Sequence, residues 1–191
     1  MFNYSNKFKI LKNKNITIKR NNILRIVNIG SNSYRAKAIF LNTIISCNIG
    51  INGSIYNKKE GDKKTPKGIY FPNKLYYRYD KIKVIKTYLK KEIIKKDDSW
   101  CDDVKSYNYN KIMHDSIDKK SETMWRNDNL YDLIISTSYN QLPILKHKGS
   151  AIFLHINNDI KKGSLGCITF KDSDLRRILA NLNNRTLIHI K

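Results

Sequence analysis

Short runs rich in isoleucine and aromatic residues recur through the first half of the chain, separated by turns that contain Asn, Lys and Gly. The runs are FKIL, NITIK, ILRIVNI, YRAKAIF and TIISCNI. They recur about every eight to twelve residues, a spacing typical of a β-meander, a sandwich or a barrel. The pattern therefore predicts a mainly β fold.

The second half adds central strands and one helix. LYDLIISTSYN and SAIFLHI carry apolar residues on both faces, which is typical of strands buried inside a sheet. KDSDLRRILANLN has apolar residues at helical spacing, namely Leu175, Ile178, Leu179 and Leu182. Asp172 or Ser173 is expected to cap this helix, and RTLIHIK is expected to close the chain as a strand.

The middle of the chain has weaker patterns. Residues 80–96 alternate charged residues with Ile and Val, which predicts an exposed strand pair or ribbon. Residues 97–129 are polar and aromatic, long for a loop, and are predicted to be an inserted cap, with a short helical turn from Ser121. Without an internal repeat or a dividing linker, the sequence predicts one domain over residues 1–191.

The composition is strongly basic, with a formal net charge of +21. Nucleic acid would be one partner for this charge. However, the chain has 29 Lys, 29 Ile and 23 Asn, all encoded by A/T-rich codons, and only 8 Arg, the residue that forms most specific phosphate and base contacts. We therefore expect no nucleic-acid partner, while an anionic polymer or surface remains compatible with the charge.

Targeting and cysteine patterns are sparse. No apolar run is long enough for a transmembrane helix, and the first 22 residues lack the apolar segment of a standard secretory signal. Cys47, Cys101 and Cys167 are odd in number and widely spaced, which is neither a disulfide framework nor a zinc pattern. We expect no metal, and we expect Cys101 to be a buried small apolar residue.

The stretch GSAIFLHINNDIKKGSLGCITF brings a histidine and a cysteine together in sequence. His155 ends an apolar run, and Cys167 follows a turn through Gly166, so a strand–turn–strand would place thiol and imidazole at the same sheet edge. An adjacent imidazole takes the thiol proton and stabilises the thiolate as an ion pair, which gives a nucleophile for acyl transfer. We therefore expect Cys167 to react with iodoacetamide at pH 6.5 faster than an ordinary thiol. The alternative is a buried cysteine beside a structural histidine.

Two motifs, EGDKKTPKGIYF and HINNDIKKGSLGCITF, together resemble the L,D-transpeptidase catalytic domain, the YkuD-type family of bacterial cell-wall enzymes. The resemblance covers residues 46–191. It implies that Cys167 is the nucleophile, that His155 is the base, and that Ser164 and Gly166 shape the loop. It also implies an oxyanion hole made of backbone N–H groups near Gly166 and Cys167. The segments with Trp-Cys-Asp-Asp and Met-Trp-Arg resemble the insertion of one branch of the family.

The chain departs from the family motif at three points. Leu165 replaces a second histidine, Thr169 replaces an asparagine, and the spacing from His155 to Cys167 is shorter than usual. These departures fit a divergent branch whose substrate geometry differs from that of the common 3→3 cross-linking members, for example one that forms 1→3 links, so both 3→3 and 1→3 cross-links stay open. They also fit a hydrolytic, carboxypeptidase- or amidase-like member.

Polar and aromatic residues of the insertion are candidates for substrate binding. Asp102 and Asp103 are expected to bind an ammonium group, or alternatively to cap a turn. Arg126 is expected to clamp a carboxylate, or alternatively to pair with a nearby Asp. Trp100 and Trp125 are expected to line the groove, or alternatively to pack the insertion.

The sequence thus predicts a cysteine acyltransferase that acts on peptidoglycan stem peptides through a thioester. We expect it to need no cofactor, to be a monomer and, as the resemblance implies, to work in the periplasm or cell envelope. The alternative of another class is a basic module that binds nucleic acid or cell wall and carries a structural cysteine.

Overall fold

The computed structural model describes residues 22–30, 33–114, 121–159 and 161–191. The predicted strands FKIL and NITIK lie outside the described residues. Within the described ranges there is one α-helix, α1 (Asp172–Leu179), and the strands are β1 (Ile23–Asn28), β2 (Arg35–Phe40), β3 (Thr43–Asn48), β4 (Ser54–Ile55), β5 (Thr65–Pro66), β6 (Gly68–Tyr70), β7 (Pro72–Tyr77), β8 (Lys90–Ile93), β9 (Ser99–Cys101), β10 (Ile112–Met113), β11 (Ser121–Thr123), β12 (Leu133–Thr137), β13 (Phe153–Ile156), β14 (Ile168–Phe170) and β15 (Leu187–Ile190).

Ten strands form the main sheet, in the order β6-β15-β1-β2-β3-β14-β13-β12-β7-β8. Three of the predicted runs are β1, β2 and β3, which pair as antiparallel neighbours. The two predicted central strands are β12 and β13. The prediction of a mainly β fold with a C-terminal helix is confirmed.

The centre of the sheet is buried on both faces. Successive side chains along a strand point to opposite faces, so each strand contributes to both buried layers. On β13, Leu154 and Ile156 belong to the core that includes Leu175 and Ile178 of α1. Phe153 points to the opposite face and packs with Trp100 of the insertion. Fully burying each such side chain contributes about 1.5–3 kcal/mol. One face therefore holds the helix, and the other face holds the insertion.

The N-cap of the helix lies one residue before the first of its two predicted positions. Lys171 is the N-cap residue, with extended backbone and no side-chain cap, so the prediction of Asp172 or Ser173 is wrong. Asp172 instead lies in the first turn and accepts hydrogen bonds from Arg176 Nε at 2.9 and 3.0 Å. A carboxylate in the first turn stabilises the positive end of the helix dipole, which accounts for Asp172 inside the helix.

The middle segments differ from the patterns read in sequence. Of residues 80–96 only β8 is a strand, parallel to β7, so the predicted strand pair is wrong. The insertion contains a separate three-stranded sheet in the order β10-β9-β11. Ser121 opens β11 rather than a helical turn, because its backbone pairs with Cys101 of β9. Among the described residues no helix is long and apolar enough to cross a membrane.

Candidate active site

His155 lies on the central strand β13, and Cys167 directly precedes the neighbouring strand β14. β13 and β14 run parallel, with His155 opposite Thr169 and Leu154 opposite Ile168. Cys167 is the residue before Ile168 and lies beside Phe153, whose N–H is 3.4 Å from its Sγ. Since alternate residues share a face, Cys167 and His155 point to the same side, about 7 Å apart along the strands. They share a face of the sheet rather than an edge, because the connecting segment is a parallel crossover instead of the expected hairpin.

The thiol and the imidazole are each bonded to a backbone carbonyl. Cys167 Sγ donates to the Ala151 carbonyl at 3.0 Å, and only 8% of the residue is exposed. His155 Nδ1 lies 2.8 Å from the Ile156 carbonyl, which accepts its proton. This bond leaves Nε2 as the basic nitrogen of the neutral ring.

Burial keeps both groups uncharged in the resting protein. It raises the pKa of the Cys167 thiol to about 12, and Glu122 raises this pKa further, while the Phe153 N–H and Lys58 lower it. Burial also lowers the pKa of His155 to about 4, although the Ile156 and Leu130 carbonyls favour the protonated ring. The expected thiolate–imidazolium pair is therefore not the resting state, because desolvation disfavours both charged forms.

Hydrogen bonds hold the loop that carries the cysteine. Thr65 Oγ1 donates to the Gly166 carbonyl and accepts from the Gly50 N–H, both at 2.8 Å. Ser164 Oγ donates to the Cys167 carbonyl at 2.6 Å and accepts from the Gly166 N–H at 3.0 Å. Gly166 has φ +143°, a conformation that requires glycine. The Gly166 N–H is one of the expected oxyanion donors, and it must exchange its Ser164 partner to serve as one.

A cavity of about 1010 Å³ opens over the cysteine and the histidine. Ser164, Leu165 and Thr169 line it beside them. Thr169 is 2% exposed, and its Oγ1 is buried without a hydrogen-bond partner among the described residues. The cavity wall also carries charged side chains, including Glu60, Asp102, Glu122, Arg126 and Asp128.

Two of the five residues expected to bind substrate line this cavity, namely Asp102 and Arg126. The Arg126 guanidinium pairs with Asp128, with Nε 3.0 and 3.1 Å from the carboxylate oxygens, and lies over the Tyr131 ring. The structure thus contains the salt bridge that the sequence left as the alternative for Arg126.

The other three residues lie away from the cavity surface. Trp100 is 4% exposed and packs edge-on against Phe153, with ring centroids 4.9 Å apart. Trp125 stacks on the Arg78 guanidinium at 3.5 Å. Asp103 accepts a turn hydrogen bond from the Lys105 N–H at 2.9 Å. These contacts match the packing and turn-capping alternatives for these residues.

Three residues at the site escaped the sequence-based reasoning. The Tyr131 hydroxyl donates to Glu122 Oε1, and its ring lies edge-on to His155 with centroids 5.0 Å apart. The Lys58 side chain is buried, with Nζ 2.6 Å from Asp62 Oδ1, and it reaches to within 3.5 Å of where a Cβ of Gly166 would be. Only long-range contacts bring these side chains to the cysteine, so the local sequence carries no signal for them.

Among the described residues, no group of three or more His, Cys, Asp or Glu side chains has an arrangement that could hold a metal ion. Cys47, Cys101 and Cys167 are all buried and free. Cys101 is fully buried, as expected of a small apolar residue.

Comparison with known proteins gives one family match and one similar solved structure. The model of the YkuD family, described as the L,D-transpeptidase catalytic domain, matches residues 11–190 and so extends the resemblance to β1 and β2. No curated protein matches the chain. The structure of Bdellovibrio bacteriovorus Bd1075 is similar with 15% identity and a TM-score of 0.45, over 88% of this chain and 47% of that chain. The chain therefore spans about half the length of that solved protein.

Proposed function

Since the chain belongs to the YkuD family of L,D-transpeptidase catalytic domains, we propose that it is a cysteine acyltransferase acting on peptidoglycan stem peptides. Cys167 is the nucleophile and His155 is the base. The observation that carries this proposal is the position of both side chains on one face of β13 and β14, next to a large cavity.

The first half-reaction forms a thioester from a neutral pair of groups. The donor carbonyl enters the cavity, and the Cys167 thiol turns from the Ala151 carbonyl towards it. The S–C bond forms as the thiol proton moves to His155 Nε2, so the thiolate exists only when the electrophile is in place. An imidazolium with a pKa lowered to about 4 is a stronger acid than an ordinary imidazolium. It therefore gives its proton readily to the leaving amine as the C–N bond of the donor peptide breaks.

The second half-reaction releases the acyl group from the cysteine. An acceptor amine attacks the thioester and forms a cross-link, either 3→3 or 1→3, whereas water would produce a shortened stem. We propose the amine as the acceptor, and a location in the cell envelope, where the substrate is found.

Muropeptide analysis tests this proposal. The protein is incubated with isolated sacculi, the glycan is digested, and the fragments are measured by mass spectrometry. Dimers with 3→3 or 1→3 cross-links should increase over untreated sacculi with the wild type and with Cys101→Ala, the matched control, and should not increase with Cys167→Ala. Muropeptides that stay unchanged, or dimers that form without the Cys167 thiol, would refute the proposal.

A further inference from the structure

The transfer of the acyl group to an amine requires the removal of more protons than one histidine carries to the sulfur. At neutral pH an alkyl amine is mostly an ammonium ion, which has no lone pair for attack on the thioester. Two protons leave its nitrogen in the whole step. One of them returns through His155 to the cysteine sulfur, so the other needs a second acceptor.

Glu122 is the candidate for this second acceptor. It belongs to β11 in the insertion and lines the cavity together with Cys167 and His155. Its Oε1 accepts the Tyr131 hydroxyl, which positions the carboxylate. Tyr131 is 4% exposed and packs edge-on against His155, so the pair is fixed beside the reacting groups.

Two other acids of the cavity wall, Glu60 and Asp128, have different partners. Glu60 Oε2 accepts hydrogen bonds from the Tyr109 and Ser150 hydroxyls. Asp128 pairs with Arg126. Glu122 is the carboxylate that a tyrosine next to the catalytic histidine presents to the cavity.

The surroundings of Glu122 favour proton uptake. Burial raises the pKa of its carboxyl group, and Asp102 and Glu60 raise it too, while the Tyr131 hydroxyl and Arg126 lower it. The balance makes Glu122 a stronger base than a solvent-exposed glutamate. Acidic side chains around the cavity also attract an ammonium group, although the chain as a whole carries a net charge of +21.

We propose that Glu122, held by Tyr131, is the base that removes the proton from the acceptor ammonium. The carboxylate takes one proton, and the freed amine forms the N–C bond to the thioester carbon. The S–C bond then breaks, and the second nitrogen proton passes through His155 to the sulfur. The products are an amide, the Cys167 thiol and a protonated Glu122, which releases its proton to solvent. This inference rests on the proposed function.

The test separates nucleophiles that need a base from one that does not. The acyl-enzyme is formed with a muropeptide that carries a tetrapeptide stem, and it is then resolved at pH 7 with either D-methionine or hydroxylamine. D-Methionine is an ammonium ion at this pH, whereas hydroxylamine is largely uncharged and attacks without prior proton removal. Acylation of Cys167 is followed separately by mass spectrometry.

Glu122→Gln keeps the shape of the side chain and an oxygen for Tyr131, but it cannot take a proton. We expect transfer to D-methionine to fall about 10²-fold, the usual lower range for general base catalysis. Acylation and release by hydroxylamine should stay within about threefold of the wild type, and higher pH should restore transfer to D-methionine. The matched control is Glu92→Gln, a glutamate outside the cavity that pairs with Lys74.

Tyr131→Phe provides a second variant with the carboxylate intact. It should lower the D-methionine rate more than the hydroxylamine rate. The role of Glu122 is overturned if the ratio of the D-methionine rate to the hydroxylamine rate is unchanged in both variants, whether both rates stay the same or both fall equally. A wild type that never acylates Cys167 overturns the proposed function and this inference with it, so the two failures are distinguishable.

Discussion

Asn110→Ala should be among the most destabilising single substitutions outside the main core. Asn110 Oδ1 accepts hydrogen bonds from Trp100 Nε1–H at 3.0 Å and from the Ala151 N–H at 3.1 Å. Its Nδ2 donates to the Asn140 carbonyl at 2.7 Å, and the residue is 1% exposed. One side chain thus ties the insertion to the residue whose carbonyl accepts the Cys167 thiol.

The expected loss follows from the groups that the alanine leaves behind. Two buried donors lose their partner, and each such loss costs about 1–3 kcal/mol. Asn110 also has φ +58°, where alanine adds roughly 1 kcal/mol of strain relative to a residue that tolerates this region. We therefore expect the free energy of unfolding to fall by about 3–7 kcal/mol. For a domain of this size that lowers Tm by roughly 10–20 °C.

Urea unfolding followed by far-UV circular dichroism measures this loss. Asn110→Asp is the informative companion: it keeps the acceptor for both donors, but it loses the bond to Asn140 and places a carboxylate in a buried site, so we expect it to destabilise the protein as well. Asn108→Ala is the matched control, an exposed asparagine of the same segment, and should stay within about 0.5 kcal/mol of the wild type. A loss below about 1 kcal/mol for Asn110→Ala at an unchanged m-value would refute the reasoning.

Three further predictions concern acid stability, thiol reactivity and backbone strain. As pH falls from 6.5 to 4, His155 takes up a proton in the unfolded state but not in the folded state, because burial lowers its pKa to about 4 there. The free energy of unfolding should therefore drop by about 3 kcal/mol over this range. His155→Gln should lack that part of the slope in urea titrations, and parallel pH profiles would contradict the assignment. Lys58→Met removes a cation that lowers the pKa of the Cys167 thiol. Modification of Cys167 by iodoacetamide at pH 9, measured by mass spectrometry, should therefore slow at least about threefold. An equal rate would show that the Lys58 ammonium does not act on the thiol. Ala151 has φ +49°, so Ala151→Gly should leave thermal stability nearly unchanged, whereas Ala38→Gly in a buried strand should cost about 1 kcal/mol or more; similar losses in the two variants would rule out strain at Ala151.

The sequence predicted the parts of the fold whose pattern is local. The apolar run of β13 predicted a buried strand, and every residue of FLHI is indeed buried. The apolar residues of α1 repeat at helical spacing, which predicted the helix. The strands of the insertion are only two or three residues long, so no period is visible in them. β11 is a strand only because β9 pairs with it, a tertiary effect that overrides local propensity.

As with the fold, only those parts of the candidate site that have a local sequence pattern could be predicted. The motif around Gly166 and Cys167 indicated the candidate nucleophile, and the apolar run before His155 indicated the candidate base. The protonation state of the pair was not predictable, because it depends on how deeply the surrounding elements bury both groups. Glu122 is 45 positions from Cys167, and only the insertion folding over the sheet brings it to the cavity.

The parallel pairing of β1 with β15 has a consequence for biosynthesis. Residues 23–26 pair with residues 187–190, so the main sheet is completed only when almost the whole described sequence is available. Until then one side of β1 exposes unpaired N–H and C=O groups, which form a template for strands of other chains. Contacts this distant in sequence also form slowly. During synthesis the chain therefore passes through a stage in which aggregation competes with folding, and that stage ends when β15 docks.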